Sequence, residues 1–137
     1  MSMHKSVAFA HALADETRWR IACLVSNEAL CVCELADILE LPQSTLSSHL
    51  QVMRKGGLVT AERCEKWAYY QLAREILPVW RAMRALDRDD TSSNRTLAGD
   101  RKKATARLAL RGQTECKGPR RSIPPLLRAR PRLAAAC

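Results

Sequence analysis

Residues 43–57 read Gln43-Ser44-Thr45-Leu46-Ser47-Ser48-His49-Leu50-Gln51-Val52-Met53-Arg54-Lys55-Gly56-Gly57. Leu46, Leu50 and Met53 recur at i, i+4 and i+7, the spacing of one buried face of an α-helix. Gln43, Ser44, Ser47, Ser48 and Gln51 lie largely off that stripe, and Thr45 stands near its start. Pro42 precedes the pattern and restarts the chain, because its fixed φ and missing N–H suit a helix beginning. Gly56-Gly57 closes it, since glycine tolerates the left-handed turn of a C-terminal cap. The spacing predicts a helix over 43–55, anchored on one side and polar on the other.

Working outward toward the N-terminus, Leu35, Ile38 and Leu39 predict a helix over 32–40, separated from the first by the tight break at Pro42. Ile21, Leu24 and Val25 predict another, running to about Ser26 behind Asp15 as its N-cap. Val7, Ala10 and Leu13 predict a short one over 6–13. Toward the C-terminus the period changes. Leu58-Val59-Thr60-Ala61 and Trp67-Ala68-Tyr69-Tyr70-Gln71-Leu72 are rich in β-formers and flank the polar segment 62–66, a hairpin without a glycine turn. Ile76, Leu77, Trp80, Met83 and Leu86 predict a last helix over 74–86, with Pro78 tolerated only in its first turn or at a kink. The fold class is mainly α with a small β-hairpin: a winged helix-turn-helix of about five helices and a two-stranded wing.

The chain has 137 residues, room for one domain of ordinary size. Its net charge of +9 hides a split. Residues 1–90 carry 11 basic and 12 acidic side chains, whereas residues 91–137 carry 12 and 2. Phe9, Trp19, Trp67, Tyr69, Tyr70 and Trp80 all lie in the first part. The expected organisation is a folded unit over 1–90 and a basic, flexible tail over 91–137. Thr91-Ser92-Ser93-Asn94 would be its linker, 101–111 a helix formed only on binding, and 117–133 irregular. No apolar run approaches the about 20 residues that span a bilayer, and no signal-peptide pattern opens the chain. A cytoplasmic protein with no membrane association is the expectation. Its six cysteines would there be mostly reduced, and their spacing does not resemble a disulfide framework.

An α-helix fits the major groove of B-DNA and can present polar side chains to base edges. Gln43, Ser44, Thr45, Ser47, Ser48 and Gln51 are the candidate base readers. His49 would touch a phosphate or pack at the edge, and Arg54 and Lys55 would reach the backbone. At the wing, Arg63 and Lys66 would meet phosphates or the minor groove. A serine-rich helix face is also compatible with plain solvation. Because residues 1–90 are close to neutral, local Arg and Lys placement must supply the phosphate attraction.

Four runs together carry a resemblance: Ala14-Asp15-Glu16-Thr17-Arg18, Leu30-Cys31-Val32-Cys33-Glu34-Leu35, Gln43 through Leu50, and Lys66-Trp67-Ala68-Tyr69-Tyr70-Gln71-Leu72. Over about residues 7–87 the chain resembles the ArsR/SmtB winged-helix metalloregulatory repressors, and Cys31-Val32-Cys33 is similar to the arsenite-sensing box of the arsenical-resistance type. The resemblance implies a homodimer joined through its first and last helices. It implies binding to double-stranded operator DNA at an imperfect inverted repeat, and release when As(III) or Sb(III), the inducer, binds cysteine thiolates. No cofactor is required.

Cys31 and Cys33 are the candidate metal ligands, because trivalent arsenic and antimony are soft and prefer sulfur. A helix N-terminus lowers a nearby thiol's pKa, which predicts enrichment in thiolate. Two cysteines at i, i+2 sit about 200° apart on an ideal helix, so both reach one ion only if Cys31 lies outside regular helix or the first turn unwinds. The family's third cysteine is replaced here by Ala36. The third ligand is therefore exogenous, or Cys116 from the tail, or another cysteine. Cys64 is expected far from the third helix, and Cys23 in the core. The bland reading of Cys31 and Cys33 is two semi-buried thiols. Thiol-redox sensing and Cd/Pb sensing by the same fold are the functional alternatives. An enzyme is disfavoured, since Cys-x-x-Cys, βαβ alternation and a glycine-rich phosphate loop are all missing.

Overall fold

The computed structural model describes residues 2–64, 66–87 and 91–111. Among these the order is α1 (Met3–Leu13), α2 (Glu16–Asn27), β1 (Leu30–Cys31), α3 (Val32–Leu39), α4 (Gln43–Lys55), β2 (Val59–Cys64), β3 (Trp67–Leu72), a 3-10 turn at Arg74–Ile76, α5 (Leu77–Leu86) and α6 (Thr91–Ala109). The winged helix-turn-helix expected from the sequence is present, with α6 and β1 added.

Each boundary has a local cause. Ser2 Oγ accepts from Lys5 N–H at 3.3 Å and starts α1 three residues earlier than its apolar spacing suggested. Asp15 Oδ1 accepts from Arg18 N–H at 2.9 Å, the N-cap anticipated for α2. After α4, Leu58 N–H returns to Met53 O at 2.9 Å and Gly57 N–H to Arg54 O at 3.1 Å, a Schellman closure. Gly57 provides its φ of +75°. Gly56 serves proximity instead: a Cβ there would stand 2.8 Å from both Ala12 Cβ and Ala8 O of α1. Pro78 falls in the first turn of α5, where its missing N–H costs nothing.

The wing is longer than the sequence reading allowed, because Glu62, Arg63 and Cys64 continue β2 rather than forming loop. β2 pairs antiparallel with β3 from Val59↔Leu72 to Cys64↔Trp67. β1 adds a third strand on the other side of β3, with Leu30↔Tyr70 and Cys31↔Tyr69. Its two residues are too few to show a period of two, so the sequence hid it.

The core gathers Ile21, Leu24 and Val25 of α2, Leu35, Ile38 and Leu39 of α3, and Leu46, Leu50 and Met53 of α4, closed by Leu58, Leu72 and Trp80. Trp80 meets Trp19 at 4.9 Å between ring centroids. The expectation for 91–111 is corrected. Residues 91–94 are the first turn of α6, not a linker, and the helix runs on through Ala109, packed against the domain. Leu97 and Ala104 are buried in the same core. Asp100 takes a two-pronged pair from Arg20 at 2.8 Å, and Arg107 pairs with Asp37 at 2.7 Å. Basic, aromatic-free composition looked like a tail because its fastening is mostly ionic. The readings for 112–137, including Cys116, lie outside the described residues. No helix among the described residues is long and apolar enough to cross a membrane.

Candidate functional site

The stripe of α4 is buried, as its spacing required, and this turns the opposite face outward. Gln43, Ser44, Thr45, Ser47, Ser48, Gln51, Arg54 and Lys55 are exposed. Ser48 Oγ donates back to Ser44 O at 3.1 Å, a local bond that leaves its lone pairs outward. His49 is half-buried at the edge, its Nδ1 3.3 Å from Arg18 Nη1. Arg18 also donates through Nε to Ala12 O at 2.8 Å and through Nη2 to His11 O at 3.0 Å. One guanidinium thus ties the end of α1 and the start of α2 to the middle of α4. Arg63 and Lys66 are exposed beside the wing turn, with Lys66 Nζ 5.0 Å from the centre of the Trp67 ring.

The two candidate sensing cysteines sit in unlike places. Cys31 is the last residue of β1 and the N-cap of α3, with extended φ −88° and ψ 169°. It therefore lies outside regular helix, the backbone condition for two sulfurs at i, i+2 to converge. Its side chain is 1% exposed. Burial pushes its thiol up to about 12, and the Glu34 carboxylate adds to the effect. The expected thiolate enrichment at Cys31 is thus corrected: desolvation and a neighbouring negative charge outweigh the helix N-terminus. Cys33 is half-buried in the first turn of α3, and Gln43 Nε2 donates to its Sγ at 3.4 Å. This contact joins a candidate sensing cysteine directly to the first residue of α4.

Glu34 completes the turn. It is fully buried, and its Oε1 accepts from Cys31 N–H at 3.1 Å, closing a capping box with cysteine in the usual serine position. Arg111, just beyond α6, grips the same carboxylate at 2.5 and 2.8 Å and donates to Ala29 O at 2.6 Å. Its guanidinium also lies 5.4 Å over the Tyr69 ring. The start of α3, the strand before it, the wing and the end of α6 therefore meet at one buried carboxylate.

Cys64 corrects another expectation. Far from being remote, it packs with Cys33 and Trp67 against the small cluster of Ala29, Cys31 and Tyr69. β1 causes this, because it docks the start of α3 onto β3 at Tyr69, two residues from the Cys64↔Trp67 pair beside the wing turn. Cys23 is buried in the core, as read. No group of three His, Cys, Asp or Glu side chains among the described residues is gathered to hold a metal ion. The thiol pair suits a soft thiophilic ligand, and what it offers is two sulfurs on either side of a helix start.

Arg18, Glu34, Tyr69 and Arg111 were missed by the sequence reading as members of this site. Glu34 alone carried a local signal, the capping-box interval from Cys31.

The family model described as bacterial regulatory protein, arsR family, matches residues 15–61. The arsenic resistance transcriptional regulator ArsR1 of Pseudomonas putida is 45% identical over 69 residues, covering 50% of this chain and 53% of that protein. The arsenical resistance operon repressor of Escherichia coli is 39% identical over 83 residues, covering 60% of this chain and 70% of the repressor. Among solved structures, the homodimeric winged helix-turn-helix DNA-binding domain Mb0332 of Mycobacterium bovis matches with a TM-score of 0.58 at 28% identity. It covers 64% of this chain and 81% of that one. The chain thus spans only about half the length of the Pseudomonas regulator. These relatives are transcriptional regulators, not enzymes.

Proposed function

Because this chain belongs to the ArsR family of bacterial regulatory proteins, we propose that it is a cytoplasmic repressor that grips operator DNA as a homodimer and releases it when As(III) or Sb(III) binds Cys31 and Cys33. The observation that carries this reading is the 3.4 Å contact from Gln43 Nε2 to Cys33 Sγ. A soft ion taking that sulfur competes with the amide, at the point where α4 would enter the major groove.

Cys31 supplies the second half of the switch. Bringing its buried sulfur to an ion shared with Cys33 moves the N-cap of α3 and disturbs the capping box with Glu34. α3 shares its apolar face with Leu46 and Leu50, so a shift of α3 propagates to the reading helix. Gln43, Ser44, Thr45, Ser47, Ser48 and Gln51 are the base readers in this account. His49, steered by Arg18, Arg54 and Lys55 meet the phosphates, and Arg63 and Lys66 extend that grip from the wing. Met3 and Val7 of α1 and Val79 and Leu86 of α5 are exposed apolar side chains that suit a dimer interface.

A disulfide from Cys31 to Cys64 fits less well. β3 lies between β1 and β2, which puts the two backbones roughly 9.5 Å apart, beyond the about 7 Å a disulfide spans.

The test is operator affinity of the wild type and the Cys31→Ser, Cys33→Ser double variant, with and without arsenite. The wild type should dissociate and the variant should stay bound. Equal release of both would sink the assignment.

A further inference from the structure

Tyr69 stands directly opposite Cys31 in the β1–β3 register, so the two side chains share a face of the sheet. The residue is fully buried, and its Oη is enclosed without a hydrogen-bond partner among the described residues. A buried hydroxyl left unpaired is costly, and native proteins seldom keep one without a use for it. Its neighbours are Ala29 and Cys31, with Cys33, Cys64 and Trp67 around them and the Arg111 guanidinium over the ring. Burial raises the phenol well above its ordinary range, and Cys31 and Glu34 raise it further while Arg111 opposes them. The hydroxyl is an unpaired donor within the cluster that holds Cys31.

Ligand counting gives that donor a purpose, on the reading that Cys31 and Cys33 bind the inducer. Arsenous acid, As(OH)3, carries three exchangeable hydroxyls. Two thiols displace two of them: two As–O bonds break, two As–S bonds form, and each thiol proton leaves with a departing hydroxyl as water. Arsenic stays trivalent and one hydroxyl remains. Ala36 offers no third sulfur in the turn. Cys64 packs nearby, but sheet order keeps its backbone two strand spacings from Cys31. We infer that the third position keeps the ligand's own hydroxyl and that Tyr69 Oη donates a hydrogen bond to it. Tyr69 is then a specificity-determining contact for inorganic arsenite and antimonite hydroxide. An organoarsenical with carbon in the third position gains nothing from it.

The probes are arsenite and phenylarsenite, whose phenyl group replaces the remaining hydroxyl, and the variant is Tyr69→Phe, which keeps the ring and its contact with Arg111. Direct binding to the full chain should weaken about tenfold for arsenite, the worth of one hydrogen bond, and stay unchanged for phenylarsenite. X-ray absorption on the arsenite-loaded wild type should find two sulfurs and one oxygen, and Cys64→Ser and Cys116→Ser should leave that shell intact. Three sulfurs in the wild type overturn the proposal without any variant. Equal weakening toward both arsenicals also overturns it, because it marks Tyr69 as packing alone, and so does no weakening of arsenite. The thiol-pair reading fails separately, through a Cys31→Ser, Cys33→Ser protein that still binds both probes.

Discussion

Helices α4 and α6 are both polar on the outside, yet different forces hold them on the same core. α4 inserts Leu46, Leu50 and Met53, three large apolar side chains on one stripe. Among its described residues α6 buries two apolar side chains, Leu97 and Ala104, and leans on ion pairs: Arg20 to Asp100, Arg107 to Asp37, Lys103 to Glu40 at 3.3 Å, with Arg111 to Glu34 just past its end. The apolar seat is indifferent to charge and fixes α4 firmly. The ionic seat ends on Glu34, the residue that closes the capping box with Cys31 at the start of α3. On the proposed function, what holds α6 is therefore also what inducer binding at Cys31 and Cys33 would disturb.

The sharpest break in that comparison comes from α4. Leu50→Ala should cost about 3 kcal/mol, the lost transfer energy plus a cavity at a site with no exposed edge. Urea unfolding measures it. A loss under about 1 kcal/mol would mean the stripe is not the seat it looks to be.

For α6 the matching substitution is Arg111→Gln. It leaves the buried Glu34 charge without its guanidinium, and should cost about 2 kcal/mol, less than a fully buried pair because Arg111 keeps an exposed edge. The double variant Glu34→Gln, Arg111→Gln should recover part of that loss, since two neutral amides leave no stranded charge. No recovery would show that Arg111 acts through Tyr69 or Ala29 O rather than through the carboxylate.

The same contrast explains what was legible in the sequence. A hydrophobic stripe announces itself within 13 residues, which is why Gln43–Lys55 and the polar face of α4 could be read directly. An ion pair does not: Arg20 and Asp100 are 80 residues apart and Arg111 and Glu34 are 77, so no local window holds both members. Thr91–Asn94 consequently passed for a linker. Cys31 and Cys33 were legible as a candidate pair of soft ligands by their interval. Their difference was not, because burial of Cys31 depends on Tyr69 across a two-residue strand that has no period to read. Cys64 was misplaced for the same reason.

Besides the Gln43–Cys33 contact, α4 has a polar fastening through His49, and it offers the finest test. Arg18, which reaches His49, lies in the first turn of α2, which Asp15 caps. The Arg18 backbone N–H, ahead of the charges of Arg18 and His49, holds the Asp15 carboxyl below its ordinary 3.8, with burial opposing. A carboxylate whose folded-state value is depressed contributes stability that is present above the ordinary value and lost as pH falls through the folded one. Asp15→Asn keeps a good N-cap but removes the charge. Comparing urea midpoints of wild type and variant on either side of that window should show a flatter acid slope in the variant, by about 0.5 kcal/mol for so accessible a group. A parallel slope in both proteins would leave the Asp15–Arg18–His49 chain serving only to aim the imidazole, adding nothing to the seat made by the leucines and methionine of α4.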